Sequence, residues 1–279
     1  MENNRRKSKA GLFVLFLLLI AGVAAVSVIL FFNVETIVLY NGSEYSDSEI
    51  LDVAAIRVTG ADGSSGENIF KVDTDAIKSR IEKQLPYIKE AKIKRSTPSK
   101  LTITLIADEP FIAVDTGSAY VILDDRMKVL ELNASEVPHN AVLAEGLELE
   151  SYASGETAKI SESGKFDEVT TVLNAALITD LKGNIVRLNI EDEFKIVLKY
   201  NERFDIILGS SSDITRKTEA VCEIINRLNE YESGYINVSG SSMFFKPYSD
   251  EEIDEIGEAY DEIIDEIDNI DESGELSLR

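Results

Sequence analysis

The sequence predicts an α+β protein built from an N-terminal transmembrane helix, a β-α-α-β-β domain and a mainly antiparallel β domain with flanking helices. Three observations lead to this prediction. Residues 11–32 form one long apolar run. Helix-like and strand-like hydrophobic periods then follow each other between residues 34 and 107. From Phe111 onward, short apolar segments separated by turn residues prevail, which is typical of β structure.

The apolar run over residues 11–32 predicts a membrane-spanning helix, because its only polar side chain is Ser27. As a helix the run would be about 33 Å long, which matches a hydrocarbon core of about 30 Å. Residues 1–10 should stay in the cytoplasm because they are basic, with Arg5, Arg6, Lys7 and Lys9. We therefore expect a single-pass type II protein of the cell membrane, with the remaining chain outside.

A cleaved signal peptide is the alternative interpretation of the same run. The apolar cores of signal peptides contain about 7–15 residues and end at a site of small residues. The run in this chain is longer and ends in Phe31 and Phe32. An internal cleavage site would have to lie near residues 21–25, where alanine is frequent. We therefore expect an uncleaved anchor.

The composition excludes several classes of function. A net charge of −23 argues against nucleic acid as a partner, because phosphate binding needs a basic surface. The only cysteine is Cys222 and the only histidine is His139, so an internal disulfide, most zinc sites and histidine-dependent triads are excluded. The sequence has no phosphate-binding glycine loop and no nucleophile motif. We expect a protein that is not an enzyme and uses no cofactor and no small-molecule substrate.

Residues 34–107 carry the pattern of a β-α-α-β-β domain. Residues 34–39 read as a strand, and Ser46 with Glu49 forms a capping box that begins a short helix. A second helix is expected over residues 73–84, because apolar side chains recur at every fourth position, namely Ile77, Ile81 and Leu85. A hairpin follows, since apolar and polar residues alternate on both sides of a turn at residues 96–99.

The predicted hairpin is unusually basic for so acidic a chain. Its bases are Lys89, Lys92, Lys94, Arg95 and Lys100. They either face anionic headgroups or an acidic partner segment, or they form the solvated face of the hairpin. Lysines on an edge strand also protect it from unwanted pairing.

The order and size of these elements resemble a POTRA domain. Residues 87–103 further resemble the signature of the FtsQ/DivIB cell-division family, which runs Tyr-hydrophobic, then Ala-x-hydrophobic-x-Arg, then Pro-x-x-Leu-x-hydrophobic. The matching positions are Tyr87, Ala91, Ile93, Arg95, Pro98, Leu101 and Ile103. The family continues with Glu-Arg-x-Pro. This chain keeps the proline and loses the Glu-Arg pair, since it reads Ala107, Asp108, Glu109 and Pro110.

Residues 108–248 are expected to form the mainly antiparallel β domain. The predicted strands are residues 119–123, 127–132, 185–190, 194–200, 204–208 and 235–239, and the predicted helices are residues 166–179 and 215–228. The first hairpin resembles the FtsQ/DivIB family, although Arg126 or Met127 replaces its usual turn glycine. Residues 206–239 resemble the carboxyl end of the family's β domain.

The resemblance implies a function. FtsQ/DivIB proteins are non-enzymatic divisome scaffolds at the division septum that bind the small single-pass proteins FtsB/DivIC and FtsL. The last strand of their β domain accepts a partner strand, because an edge strand offers unpaired N–H and C=O groups. Carried over, the partner-binding residues are Tyr235, Ile236, Asn237, Val238 and Ser239, with Met243, Phe244 and Phe245 just beyond. The last three residues either anchor the partner or close the core of the domain itself.

Residues 249–279 form an acidic tail with an apolar seam. Its apolar residues are spaced alternately three and four apart, at Ile253, Ile256, Tyr260, Ile263, Ile267 and Ile270. Of the other 25 residues in this tail, 14 are Asp or Glu. The tail is either a helix that docks on a partner or on the β domain, or a disordered segment kept open by like-charge repulsion.

Two other functions stay open at the level of the sequence. A POTRA-bearing export or assembly factor would be expected to repeat the POTRA unit, and the chain contains one such unit. A membrane-anchored cell-wall enzyme would require paired carboxylates, and acidic pairs are abundant here.

Overall fold

The computed structural model describes residues 3–162 and 164–249. Except for Ser249, the predicted acidic tail lies outside the described residues, and both of its interpretations stay predictions. The chain forms two compact units. The first contains the described residues up to Phe111 with Val121–Ala134 and Ser151–Lys159, and the second contains Ile112–Tyr120, Ser135–Glu150 and the described residues between Ile160 and Ser249. The predicted domain limits at residues 107 and 248 stay predictions.

The first unit begins with helix α1, which spans Asn3–Phe31 and contains 29 residues. Its sequence has no proline, and the glycines inside it are tolerated in a helix at a modest energetic cost. Among the described residues, no helix combines the length and the hydropathy of a membrane crossing. The transmembrane role of residues 11–32 stays a prediction.

The predicted β-α-α-β-β order is confirmed in the first unit. Its elements are β1 (Thr36–Tyr40), α2 (Asp47–Ala54), α3 (Thr74–Gln84), β2 (Ile88–Thr97) and β3 (Lys100–Ala107). The strand order is β1-β3-β2, so the last strand lies in the middle of the sheet. Strand β1 is parallel to β3, whereas β2 is antiparallel to it.

Local sequence explains where the two helices of this sheet domain begin. The N–H of Glu49 donates to the Oγ of Ser46 at 3.3 Å, as the predicted cap requires. Oδ1 of Asp73 accepts from the N–H of Asp75 and of Ala76 at the start of α3. The helices bury their apolar faces against the sheet, in a core that includes Ile50, Ala54, Ile77, Ile81, Leu101, Ile103 and Leu105.

The chain after β3 contains short strands and two further helices. They are β4 (Ile112–Asp115), β5 (Tyr120–Leu123), β6 (Val129–Ala134), β7 (Val142–Glu145), β8 (Leu149–Ser151), β9 (Lys159–Ile160), α4 (Lys165–Ile178), β10 (Ile185–Asn189), β11 (Ile196–Tyr200), β12 (Phe204–Gly209), α5 (Ile214–Ile225), β13 (Gly234–Asn237) and β14 (Phe244–Pro247). The predicted helices over residues 166–179 and 215–228 correspond to α4 and α5.

The sheet of the second unit is mixed, so the predicted antiparallel pairing holds for part of it. Its strands follow the order β14-β13-β12-β11-β10-β7-β4. The pairs β4–β7, β7–β10 and β12–β13 are parallel. The pairs β10–β11, β11–β12 and β13–β14 are antiparallel. Helices explain two of the parallel pairs, because α4 connects β7 to β10 and α5 connects β12 to β13, as crossovers between parallel strands require.

Helix α5 buries a different face from the one that apolar spacing predicts. The predicted face of Ala220, Ile224 and Leu228 is only half-buried, whereas Lys217, Thr218 and Val221 are buried, as is Ile214. Lys217 can be buried because its Nζ donates to the backbone oxygens of Leu208 and Ser210, at 2.8 and 2.7 Å. Burial lowers the pKa of this ammonium group.

Candidate partner-binding site

The predicted final strand at residues 235–239 is not the last strand of the sheet. Strand β13 covers Gly234–Asn237, and β14 pairs with it in antiparallel register from Gly234 opposite Pro247 to Asn237 opposite Phe244. The turn between them contains Gly240, Ser241 and Ser242, which are small and polar residues suited to a reversal. Strand β13 therefore has a neighbour on each side, and the sheet ends at β14.

The structure divides the residues predicted to bind a partner into two groups. Ile236 and Val238 are completely buried. Tyr235 and Asn237 are half-buried on the opposite face of β13, and Ser239 is exposed in the turn. The first two residues therefore support the strand from the core, and the other three lie where a partner can reach them.

Met243, Phe244 and Phe245 also differ in their surroundings, and the interpretation that the group closes the core holds for Phe245. The ring of Phe245 packs edge-on against that of Phe204, with centroids 6.0 Å apart, and Phe204 is fully buried. Phe244 is 50% exposed, on the opposite face. Met243 is half-buried. Phe245 thus closes the core of its own unit, whereas Phe244 is available for an external contact.

The backbone of β14 presents a short, partly blocked edge. The N–H of Tyr248 donates to the oxygen of Ser233 at 3.2 Å, so Tyr248 directs its backbone groups toward β13. By the alternation of an antiparallel ladder, Phe244 and Lys246 do the same, while Phe245 and Pro247 point their backbone groups outward. Phe245 keeps its N–H on this outer side, whereas Pro247 has none to offer. Within residues 164–249, no strand pairs with this outer side.

A polar cluster fixes the end of β14 to the sheet. The hydroxyl of Tyr248 donates to Oδ2 of Asp205 at 2.7 Å, and Nζ of Lys199 lies 3.1 Å from Oδ1 of the same carboxylate. The rings of Tyr235 and Tyr248 meet edge-on, with centroids 4.9 Å apart. Burial, and then the hydrogen bond to Asp205, raise the pKa of Tyr248.

Sequence reasoning missed this cluster, although one signal for it was present. Lys199 and Asp205 are register partners across the β11–β12 hairpin. Each lies three residues from Glu202, so a turn centred on Glu202 pairs these opposite charges across the strands, whereas the predicted two-residue turn at Asn201 and Glu202 does not. Tyr248 gave no such signal, because its contacts depend on the unexpected strand β14.

A second group of buried ionisable side chains lies in the first unit. The carboxylates of Asp108, Asp124 and Asp125 offer oxygen atoms within 4.8 Å of one another. Cationic side chains already satisfy the buried pair. Nη2 of Arg126 lies 3.0 Å from Oδ2 of Asp108 and 2.8 Å from Oδ2 of Asp124. Lys128 Nζ lies 3.7 Å from Oδ2 of Asp108. The arrangement is a compensated ion-pair cluster.

Comparison with known proteins gives consistent results. Residues 32–106 match the family described as POTRA domain, FtsQ-type. The cell division protein DivIB of Clostridium tetani is 28% identical over 215 residues, which cover 75% of this chain and 77% of the relative. The cell division protein FtsQ of Corynebacterium glutamicum is 28% identical over 208 residues, which cover 70% and 86%. A solved DivIB extracytoplasmic domain from Geobacillus stearothermophilus shares 10% identity at a TM-score of 0.27, covering 45% of this chain and 99% of that one.

The three-stranded sheet with its two helices, together with the family match, identifies residues 32–106 as a POTRA domain of the FtsQ type. The chain as a whole is similar to the cell division proteins named DivIB and FtsQ. The expectation from the signature at residues 87–103 is thereby confirmed.

Proposed function

We propose that the chain is a non-enzymatic divisome scaffold that binds single-pass division proteins resembling FtsB/DivIC and FtsL outside the membrane and supports septum formation. The observation that carries this proposal is the outer edge of β14, the last strand of the second unit's sheet. The curated relatives, which are named as cell division proteins, support the biological setting.

A partner strand would add to β14 and not to β13. The outward N–H and C=O of Phe245 and the outward C=O of Pro247 supply the main-chain contacts. Pro247 removes a donor at the far end of this edge, which limits the registers in which a partner can pair. The short edge therefore favours one partner alignment over indiscriminate strand addition.

Side chains on one face beside this edge would provide specificity. Phe244, Asn237 and Tyr235 lie on the face opposite the buried one, and Phe244 is the most exposed of them at 50%. A half-exposed aromatic side chain beside unpaired backbone groups is a suitable anchor, because aromatic residues dominate binding energies at interfaces. Ile236, Val238 and Phe245 act indirectly, since they hold the two strands in place.

The test compares two exposed phenylalanines in the full chain. Phe244→Glu should weaken the affinity for the FtsB-like partner at least about tenfold, which corresponds to about 1.4 kcal/mol. Phe194→Glu is the matched control, because Phe194 is 70% exposed in the turn between β10 and β11. The affinities are measured by calorimetry on chains reconstituted in nanodiscs. Equal affinities for the two variants would contradict the proposed site.

Localisation in cells tests the proposed role separately from the site. A fluorescent fusion of the unmodified chain should concentrate at the division septum, as the names of its relatives lead us to expect. The Phe194→Glu fusion should behave in the same way and should recruit the partner, whereas the Phe244→Glu fusion should recruit it poorly. Uniform membrane staining of the unmodified fusion would contradict a divisome role.

We further propose that α1 anchors the chain in the cell membrane, with residues 1–10 in the cytoplasm and residues 11–32 as the span. The large apolar side chains at residues 12–20 support this, because their exposed fractions lie between 47% and 69%. A row of such side chains is unstable in water and is suited to hydrocarbon. Membranes washed at alkaline pH should retain the chain, and its release into the supernatant would contradict the anchor.

A further inference from the structure

The loop at residues 68–71 is fastened to the end of α1. The N–H of Ile69 donates to the oxygen of Phe32 at 2.8 Å, directly after the helix ends at Phe31. Beside it, the N–H of Val34 donates to the oxygen of Glu67 at 2.9 Å. The rings of Phe32 and Phe70 are in contact, with centroids 5.2 Å apart. The position of Phe70 is therefore set relative to the carboxyl end of α1.

Arg95, a residue of the family signature, braces this loop from the sheet. Its Nε donates to the oxygen of Ile69 at 2.8 Å, and its Nη2 donates to the oxygen of Val72 at 2.7 Å. Within the loop, Oδ1 of Asn68 accepts from the N–H of Phe70 at 3.1 Å. The loop is thus held at both ends and from within, so the ring of Phe70 cannot readily turn inward to a core.

Despite this rigid support, the aromatic side chains at this end are open to solvent. Phe31 is 70% exposed and Phe70 is 59% exposed. Burial of a phenylalanine side chain is strongly favoured over its exposure to water. The fold holds these two rings outward, next to a long apolar helix. They therefore contribute no burial energy unless another apolar surface covers them.

Two lysines lie at the same end of the first unit, where Glu35 and Glu67 are the neighbouring acidic residues. Lys71 follows Phe70 directly and is exposed. Lys100 lies opposite Thr36 in the β1–β3 register. In the turn just before Lys100, the backbone oxygen of Ser99 accepts a hydrogen bond from the N–H of Glu35 at 2.8 Å. Among the described side chains, neither lysine forms an ion pair. By contrast, Lys89 and Lys92 of the predicted basic strip pair with Asp125 and Glu90.

We propose that Phe31, Phe32 and Phe70, together with Lys71 and Lys100, form a surface that seats the POTRA domain on the lipid–water interface of the outer leaflet. The proposal rests on the proposed anchor, since α1 delivers this end of the domain to the membrane. Aromatic rings are suited to the boundary between headgroups and acyl chains. The lysines then meet the phosphates of anionic lipids. A lipid surface fits better than a protein partner because the surface is continuous with the end of α1.

The chain offers a clean reporter for this proposal because it contains no tryptophan. Three single-tryptophan variants of the full chain are reconstituted into phosphatidylglycerol vesicles whose acyl chains carry bromine, which quenches tryptophan on contact. Phe70→Trp reports on the proposed surface and Phe16→Trp on the anchor. Phe194→Trp is the matched control, because Phe194 is an equally open loop residue of the second unit, 70% exposed. Lys71→Trp serves as a second surface reporter should Phe70→Trp fold poorly, because Lys71 is exposed on the same loop.

The outcomes separate the surface from the anchor. We expect blue-shifted, quenched emission from Phe70→Trp and Phe16→Trp, and unshifted, unquenched emission from Phe194→Trp. Quenching of Phe16→Trp alone, with Phe70→Trp and Lys71→Trp behaving like Phe194→Trp, overturns the surface and leaves the anchor intact; the loop would then be free for a protein partner. Unquenched emission from Phe16→Trp overturns the anchor, and the surface with it.

The role of the two lysines is tested in the same vesicles. Lys71→Glu with Lys100→Glu should reduce the quenching of Phe70→Trp in phosphatidylglycerol and leave that of Phe16→Trp unchanged. The control is Lys195→Glu, since Lys195 is an exposed lysine of the second unit, with 80% of its side chain open to solvent. Quenching that is the same in the double variant and the control overturns the electrostatic part of the proposal.

Discussion

Asp108 and Arg126, the residues at which this chain departs from the FtsQ/DivIB pattern, contact each other. The family pattern has arginine at the position of Asp108 and glycine in the turn at Arg126 or Met127. Here the guanidinium comes from the turn and reaches Asp108 at 3.0 Å. Met127 has the positive φ of 65° that glycine adopts most easily, so the turn keeps its shape without the glycine. Arg126 therefore supplies the counter-charge for the buried carboxylate of Asp108.

Removal of Arg126 should destabilise the first unit. Arg126→Ala would leave Asp124 and Asp108, whose side chains are 0% and 1% exposed, with Lys128 as their only nearby cation among the described residues. Removing one partner of a buried ion pair lowers the free energy of unfolding by about 3–5 kcal/mol. Because Arg126 is half-exposed, we expect a loss at the lower end of this range, about 3 kcal/mol. Urea denaturation of the full chain in nanodiscs measures it. Arg216→Ala, in an exposed pair with Asp213, should change stability by less than about 0.5 kcal/mol.

The loss of stability caused by Arg126→Ala should also depend on pH. Burial, and then the charge of Asp124, raise the pKa of Asp108 in the folded chain. The folded state therefore binds the Asp108 proton more tightly than the unfolded state, and acidification stabilises it. Without the guanidinium this effect grows, so the deficit of Arg126→Ala should be smaller at about pH 4.5 than at about pH 7. If the stability lost in Arg126→Ala increases on acidification, Asp108 is not the carboxylate that loses its counter-charge in this variant.

At the scale of elements, Lys217 determines how α5 attaches to β12. Its ammonium group joins the oxygens of Leu208 and Ser210, on either side of Gly209, which has a φ of 71°. Lys217→Met keeps most of the side-chain volume but leaves two carbonyl groups without their donor, so we expect a loss of about 2 kcal/mol. Arg216→Met, on the exposed face of the same helix, is the control. Equal thermal stability of the two variants would show that water replaces the ammonium group.

Tyr248 should stabilise strand β14. Tyr248→Phe removes the hydrogen bond to Asp205 and keeps the ring against Tyr235, so a loss of about 1–2 kcal/mol is expected. Tyr231→Phe is the matched control, since Tyr231 is 87% exposed. Hydrogen exchange at the Phe244 and Lys246 amides measures the effect locally, because both face β13. Faster exchange only in Tyr248→Phe would support a stabilising role of the Tyr248–Asp205 hydrogen bond, and equal exchange in both variants would contradict it.

The sequence predicted those elements whose signals are local. The caps at Ser46 and Asp73 and the alternation on both sides of residues 96–99 depend on neighbours in the chain, and all three appear in the structure. Strand β14 was missed because four residues ending in Pro247 carry too little pattern to stand out. The parallel pairs were missed for a different reason. Strand direction is decided by the helices that cross over the sheet, and no single strand's pattern contains that information.

The candidate site also depends on contacts between distant parts of the chain, which the local sequence pattern does not reveal. The sequence drew attention to residues 235–245, but it treated β13 as the open edge of the sheet. Whether Phe244 or Phe245 faces a partner depends on the register with β13, and a shift by one residue would exchange their faces. The apolar spacing of α5 predicted the wrong buried face for a related reason. Lys217 is buried because it donates to two backbone oxygens outside the helix, which the periodicity of the helix itself does not reveal.

For the whole molecule, the distribution of charge bears on orientation. The chain carries a net charge of −23, yet its first ten residues contain four bases and one acid. Bases beside an apolar helix remain on the cytoplasmic side, so this short segment should determine which side of the membrane receives both compact units. The interfacial surface proposed at Phe70 and the edge of β14 both depend on that orientation, because each has its proposed partner outside the cytoplasm.

Replacing Arg5, Arg6, Lys7 and Lys9 by glutamate should therefore lower the fraction of chains whose units lie outside. The probe is Ser239→Cys in a Cys222→Ser background, since Ser239 is exposed and Cys222 is the only native cysteine. In intact cells, a thiol reagent that cannot cross membranes should label the probe with the native N-terminus and label it less with the glutamates. Labelling after permeabilisation controls for the amount of protein. If labelling of intact cells is equal with both N-termini, the basic segment does not set the orientation, and the apolar run with the domains behind it is sufficient.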